Sequence, residues 1–417
     1  MPTPSLILVP ARFKTGKLYT PLATTSGGVV LGASGDFNVT RATTATRVNA
    51  SGFIEVVASG IPRLDYPLGG GCPALLVEPS GSNLTLQSEN FGTTWSPVAL
   101  LAFGSGSVLN TTGTLDPYGT YVADLIVANA SVTQHRIDQT TTSVSGSYAF
   151  SIFLKAAGYN FARLRLTGIG ATFNLASGTI SATDSGIVSS IQSYGNGWYR
   201  CIISKAAATA NEIIRINIQP TQSSADFGGD GTSGIYVFGG QYELGSVATS
   251  YIPTTTTSAT RNADVITLSG AVSGCIGQTE GTIYAEFEIR SESTTRRLLT
   301  LSDGSQLNRI MLVYSSNALR AQIQGSSISL GNPADGYHKV AFAYQQSGVS
   351  GTLFASLDGG AVVSGTTAGT FPSVLNAINV GKIEDTATTS QWNARIRSAA
   401  IYTSRLTNAE LIALSTL

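Results

Sequence analysis

Glu286 and Glu288, in "YAEFEIR", lie two residues apart and so share one face of an extended strand at about 7 Å. Two carboxylates about 5 to 9.5 Å apart are the working pair of a glycoside hydrolase. Tyr284 and Arg290 fall on the same face, however, and a carboxylate beside a guanidinium stays ionised, so the spacing favours a solvated face of Glu–Arg pairs. A serine or cysteine triad would need one of the two histidines, His135 in "SVTQHRIDQ" or His338 in "DGYHKVAFAY". Each stands in an alternating stretch and reads as a partly exposed strand residue. Gly-x-Ser-x-Gly, Walker A, His-Glu-x-x-His and the EF-hand loop are absent from the sequence. "GSGS" at 104–107 and "GGG" at 69–71 lack the strand-to-helix setting that a phosphate cradle needs.

Asp226 and Asp230 in "ADFGGDGTSG", and Asp303 in "LSDGS", offer the hard oxygens that calcium prefers. Aspartate before glycine is equally a turn dipeptide, so calcium stays open as a cofactor with no ligand assigned, and no other cofactor is expected. Carbohydrate contact asks for an aromatic ring to cover the apolar face of a sugar. Trp95, Trp198 and Trp392 are the only tryptophans. Trp198, in "GNGWYR", reads as core. Trp392 stands in the polar stretch "ATTSQWNARI" and is the candidate carbohydrate-binding residue, with packing beneath its loop as the alternative.

The elements that must hold these residues are strands. "SYAFSIFLKA", "ARLRLTG", "EIIRINIQP", "TIYAEFEIR", "HKVAFAYQ" and "TLFASLDGG" alternate with period two, and helical periodicity is almost absent. Asp358-Gly359 is a hairpin signal, because a type I′ turn needs positive φ at both positions. "GIYVFGGQYEL" is apolar on both faces, as a strand inside a two-sheet sandwich would be, and Glu243 with Gly245 should end it. One short helix is predicted in "RLTNAELIALSTL", where Thr407 and Glu410 form a capping box.

Composition narrows the function. Hydrophobic residues at 42% suffice for packed cores, while charged residues at 12%, against about 25% in a typical soluble protein, leave a surface of Ser, Thr, Asn and Gly. With Lys+Arg and Asp+Glu both at 24, there is no basic stripe for phosphate, and nucleic acid is not an expected partner. No run approaches 18 apolar residues, so no membrane insertion is expected. The N-terminus, "MPTPSLILVPARFKTGK", puts its apolar residues before its charges, the wrong order for a secretion signal, and implies a cytoplasmic product. Cys72, Cys201 and Cys275 have no metal spacing and read as buried small hydrophobes. Composition shifts place boundaries near 95 and 258, the second at "YIPTTTTSATRNAD", where Pro253 removes a ladder donor and a threonine run supplies no core.

Three stretches carry a resemblance. "FNVTRATTATRVNASGFIEVVASGIPRLDY" with "ALLVEPSGSNLTLQSENF" is similar to the N-terminal module of tailed-bacteriophage virion proteins, the head fibres, head spikes and related tail fibres. "SIQSYGNGWYRCIIS" and "GDGTSGIYVFGGQYELGSVATSYIPT" resemble the paired signatures of that family's jelly-roll module, which is like carbohydrate-binding modules. "GTIYAEFEIR", "YHKVAFAY", "LFASLDGG" and "ARIRSAAIYTSRLTNAEL" look like a concanavalin A-like, laminin-G-like sandwich. The resemblance implies an all-β chain of tandem antiparallel β-sandwiches, jelly roll then concanavalin A-like, with one short C-terminal helix. It further implies a virion-anchoring region over 1–95, the jelly roll over 96–257 and the lectin-like domain over 258–417. The expected role is that of a non-enzymatic head or tail fibre or decoration protein, located in the virion. Its expected partners are other virion proteins of capsid or tail, two further copies in a homotrimer, and host-surface glycan. A polysaccharide-degrading enzyme on the lectin-like fold is the alternative.

Overall fold

The computed structural model describes residues 1–20, 36–101, 114–142, 145–208, 210–269, 274–290, 294–382 and 390–417, and the backbone of 22–23, 109–110 and 273. Two antiparallel sandwiches account for these residues, as the alternation requires.

The first sandwich pairs two six-stranded sheets. One runs Ser96–Val98, His135–Thr141, Glu212–Gln219, Phe161–Leu166, Ile169–Asn174, Thr179–Thr183; the other Leu109–Asn110, Asp124–Val127, Gly234–Leu244, Tyr148–Ala157, Tyr199–Lys205, Ile187–Ser193. Ile137, Phe150, Ile152, Leu164, Ile216 and Val237 fill the space between them, each fully buried, and each side chain so placed stabilises by about 1.5–3 kcal/mol. Tyr148–Ala157 and Gly234–Leu244 are buried on their outer face too. Phe153, Phe238 and Trp198 pack there with Tyr251 and with Ile54 from the N-terminal part of the chain. Gly239 makes this two-sided burial work. It takes φ +64 at a bulge opposite Ser151–Phe153, so Val237 and Tyr242 point inward while Phe238 points outward. The strand runs on to Leu244, past Glu243, which is buried rather than terminal because its carboxylate accepts from Thr249 N and Oγ1 and from Gln241 Nε2.

The second sandwich is assembled from both ends of the chain. Its first sheet runs Val363–Thr366, Ser350–Leu357, Gly336–Ser347, Glu280–Ile289, Ala394–Tyr402, Leu6–Leu8, Leu22–Ala23, with Ala74–Val77 also pairing Ala394–Tyr402. In its second sheet Phe37–Thr40 pairs Val265–Ser269, followed by Ala377–Val380, Arg296–Ser302, Arg309–Ser315, Ala318–Ile323 and Ser326–Ser329. Leu6, Leu8, Phe37, Leu75 and Val77 share one core with Ile283, Phe287, Leu312, Phe342 and Ile401. Residues 1–95, expected as a region apart, thus supply strands to the C-terminal sandwich, and the first sandwich is inserted between the two halves of the second. The boundary at 258 is equally a joint: Ala259–Arg261 pairs Gly81–Asn83, and Tyr251, Ile252 and Thr254 are buried. Tyr251 and Ile252 before Pro253 and Thr254 after it are packed, which the threonine run conceals.

The local signals fall where the sequence puts them. Asp358 and Gly359 take φ 51 and 74 between Ser350–Leu357 and Val363–Thr366. The helix Asn408–Ser415 starts at Thr407 with both bonds of the capping box, Glu410 N to Thr407 Oγ1 at 3.3 Å and Thr407 N to Glu410 Oε2 at 2.9 Å. Leu411 packs it onto Ala341, Ala343 and Tyr402. Cys201 and Cys275 are buried, but Cys72 is exposed, because it follows the glycine turn at 69–71 that carries it out of the sheet.

Candidate functional site

The quoted N-terminal motifs converge on one point. Arg41 of "TRATTAT", Arg63 of "PRLD", Glu78 of "LLVEP", and Arg261 and Asp264 of "TRNAD" form a network between the sandwiches. Arg41 Nη1 lies 2.9 Å from Asp264 Oδ1, Arg63 Nη1 2.7 Å from Glu78 Oε2, and Arg261 Nη1 3.1 Å from the same oxygen; Arg63 Nη2 also pairs with Asp264 Oδ2. All five side chains are at most 2% exposed, and with Glu243 the network holds three arginines against three carboxylates. Ser250 donates to Glu78 through its N and its Oγ, tying the segment after the first sandwich to the strand Ala74–Val77. Burial would raise the Glu78 pKa, but Arg261, Arg63 and the Ser250 hydroxyl outweigh it and hold the carboxyl well below its usual range. For Arg63, Asp264 and Glu78 likewise outweigh burial and raise the guanidinium.

Above this network opens a cleft of about 420 Å³ between the two sandwiches. The edge strand Ile187–Ser193 forms one wall, and Glu288, Arg290 and Arg395 of the second sandwich the other. Arg395 Nε lies 2.6 Å from Asp65 Oδ2 and its Nη1 3.1 Å from Glu288 Oε2, which also takes Arg290 Nη2 at 3.4 Å. Burial, offset by Arg290 and Arg395, leaves Glu288 below the usual carboxylate range. Asp65, Glu78 and Glu288 are thus all paired with arginine. Glu78 and Glu288, held below the usual range, are poorly suited to act as a general acid, which must hold a proton near neutral pH. Arg200 and Arg47 also line the cleft. Arg200 is 5% exposed, lies over the Phe153 ring at 5.4 Å and gives Nη2 to Ser151 Oγ, while its Nε has no hydrogen-bond partner among the described residues. Arg47 pairs Nε with Glu55 and leaves Nη1 without one. With Ser189, Ser190 and Tyr194 nearby, the cleft can donate to hydroxyl and carbonyl oxygens.

No family model matches the chain, and neither does any curated protein. Among solved structures, CBM40 of the Ruminococcus gnavus IT-sialidase is similar over 35% of this chain and 87% of its own, at 17% identity and a TM-score of 0.30. Domain 4 of AbnA, a GH43 extracellular arabinanase from Geobacillus stearothermophilus, covers 41% of this chain and 82% of its own at 14% identity and a TM-score of 0.29. Domains LG4-5 of the mouse laminin α1 chain cover 67% of this chain and 88% of their own at 13% identity and a TM-score of 0.24.

The structure disperses the residues singled out from sequence. Trp392 is 3% exposed and packs edge-on to Phe287 with ring centres 5.6 Å apart, so it has no face to offer a sugar; its loop folds inward because Trp392 N donates to Gly381 O. The packing alternative is the one observed. Trp198 is core, its Nε1 donating to Leu115 O at 2.7 Å. Glu286 meets Arg397 at 3.1 Å and Glu288 meets Arg290 and Arg395, the Glu–Arg face that the spacing favoured. His135 is fully buried with Nδ1 on Ala99 O and Nε2 on Phe227 O. His338 has Nδ1 2.6 Å from Asp358 Oδ2 and Nε2 2.7 Å from Ala334 O, so both histidines have both nitrogens occupied and serve no nucleophile. Asp230 accepts from Thr232 N and from Ser233 N and Oγ, and Asp303 from Ser305 N and Asn308 Nδ2. Both cap turns, and among the described residues no three His, Cys, Asp or Glu side chains gather for a metal. Residues 104–107 lie outside the described residues. Arg47 and Arg200, which line the cleft, carried no sequence signal beyond alternation with apolar neighbours.

Proposed function

We propose that the chain is a non-catalytic structural and adhesive protein of a tailed-phage particle, a head or tail fibre or decoration that projects two β-sandwiches and binds host-surface glycan. The observation that carries the adhesive part is the cleft between the sandwiches, where Asp65, Glu78 and Glu288 are each paired with arginine and Arg47, Arg200, Ser190 and Tyr194 stand in the lining. Such a lining suits oxygen-rich ligands, and carboxylates held by arginine are poor proton donors for cleaving them. The particle assignment rests on the motif resemblance, whose residues build the buried joint between the two sandwiches. Attachment falls, in this reading, to the face presented by residues 1–95, and threefold assembly would multiply weak sites into firm adhesion. Incubating purified protein with host capsular polysaccharide or lipopolysaccharide tests it: retention of intact chains is expected, and steady shortening of them refutes it. Labelled protein located on the particle by electron microscopy tests the assignment to the virion.

A further inference from the structure

A second groove, of about 370 Å³, shares no lining residue with the cleft and is lined by Gln87, Glu89, Asn90, Tyr121, Val122, Thr254 and Thr255. Its volume falls within the about 300–1,000 Å³ of small-ligand sites. Tyr121 and Val122 are 52% and 48% exposed, an aromatic and an aliphatic side chain together at the lip. They are held rigidly. Asp116 accepts from Tyr118 N and Thr120 N through Oδ1 and from Thr120 Oγ1 and Val122 N through Oδ2, which fixes the turn that presents Tyr121. The opposite wall is fixed by Gln87 N donating to Thr255 O at 2.7 Å and Thr254 N to Ser88 Oγ at 2.8 Å. Gln87 takes φ 53, a conformation costly for a side chain other than glycine. Glu89 has Oε1 on the Tyr251 hydroxyl at 3.0 Å.

We propose that this groove binds a neutral pyranose, with the sugar's apolar face on the Tyr121 ring and its hydroxyls on Gln87, Glu89, Asn90 and Thr255. A sugar ring pairs a flat C–H face with a rim of hydroxyls, and an exposed aromatic beside two amides, a carboxylate and a hydroxyl matches both. No Lys or Arg lines the groove, so nothing there pairs with the carboxylate of a uronate or sialate, and a neutral sugar is favoured. This inference rests on the glycan-binding reading and names a ligand class for a site separate from the cleft.

The test passes the full chain over immobilised glucose-, galactose- and mannose-terminated oligosaccharides and over glucuronate-terminated counterparts. Neutral chains should be retained and glucuronate chains not. Tyr121→Ala should weaken retention at least about tenfold, equivalent to about 1.4 kcal/mol, while Tyr121→Phe keeps it. Asn90→Ala should weaken it as well. Both exposed substitutions should leave the unfolding midpoint unchanged, so lost retention reads binding. If Tyr121→Ala and Asn90→Ala bind neutral chains as the unaltered protein does, the groove is overturned and the glycan reading stands. If glucuronate chains bind as tightly as neutral ones, the ligand class is wrong. If the unaltered protein retains no sugar, both readings fall.

Discussion

Replacing Glu78 by Gln removes one charge from the joint between the sandwiches while keeping its volume. The carboxylate accepts from Arg63 Nη1 at 2.7 Å, from Ser250 N at 2.8 Å and from Ser250 Oγ at 2.7 Å, and pairs with Arg261 at 3.1 Å. Glutamine has one acceptor oxygen for these donors and turns an NH₂ group toward two guanidinium groups that are at most 1% exposed. Breaking a buried pair in this way costs about 3–5 kcal/mol, much of it the stranded charge of the arginines. The pH dependence has a definite sign. Glu78 is held below its unfolded value of about 4.3, so its contribution is full above that pH and is lost as acid protonates the unfolded chain and then the folded one. Between the two values the unaltered protein loses about 1.4 kcal/mol per pH unit through this group, and the Gln variant does not. Urea unfolding of both proteins at pH 7, 4 and 3 should show the variant less stable by about 3–5 kcal/mol at neutrality, with the gap narrowing in acid. A gap under about 1 kcal/mol at pH 7, or two stability curves that stay parallel down to pH 3, would refute the account of this network.

Two further substitutions separate packing from binding. Trp392→Ala should lower stability by about 3–5 kcal/mol through the cavity left beside Phe287, with sugar retention by the protein that stays folded unchanged; lost retention at unchanged stability would restore Trp392 as a contact residue. Gly239→Ala must hold φ +64 and set a Cβ 2.9 Å from Phe153 Cδ2, so thermal unfolding should report about 1–3 kcal/mol lost, and an unchanged midpoint would show that the bulge relaxes freely.

The strands of both sandwiches were legible because alternation is a local property: Phe150, Ile152 and Leu154 declare their face within five residues. The capping box at Thr407 and the turn at Asp358-Gly359 are local in the same sense. What the sequence concealed was long-range. Arg63 and Asp264 are 201 residues apart, and neither motif announces the other as its partner. Residues 1–95 looked separable because glycine-rich punctuation marks bends in the chain and says nothing about which sheet a strand joins. Trp392 misled for a related reason: its polar neighbours describe the loop, while its ring answers to Phe287, over a hundred positions earlier in the chain. Tyr121 gave no warning: nothing in "TYVAD" marks it as a contact residue, and the turn around Asp116 is what presents it outward.

Ser5 bonds to Ile401 across 396 positions of chain, and this separation has a cost in time. At about 5–20 residues per second of synthesis, Leu6–Leu8 leaves the ribosome about 20 to 80 s before its partner strand exists. During that wait the inserted sandwich can mature by itself and bring the severed halves of its neighbour side by side, acting as an internal template. Until then "SLILV" has a partner on one edge alone, at Leu22–Ala23, and the yield of folded chain depends on what shields the other.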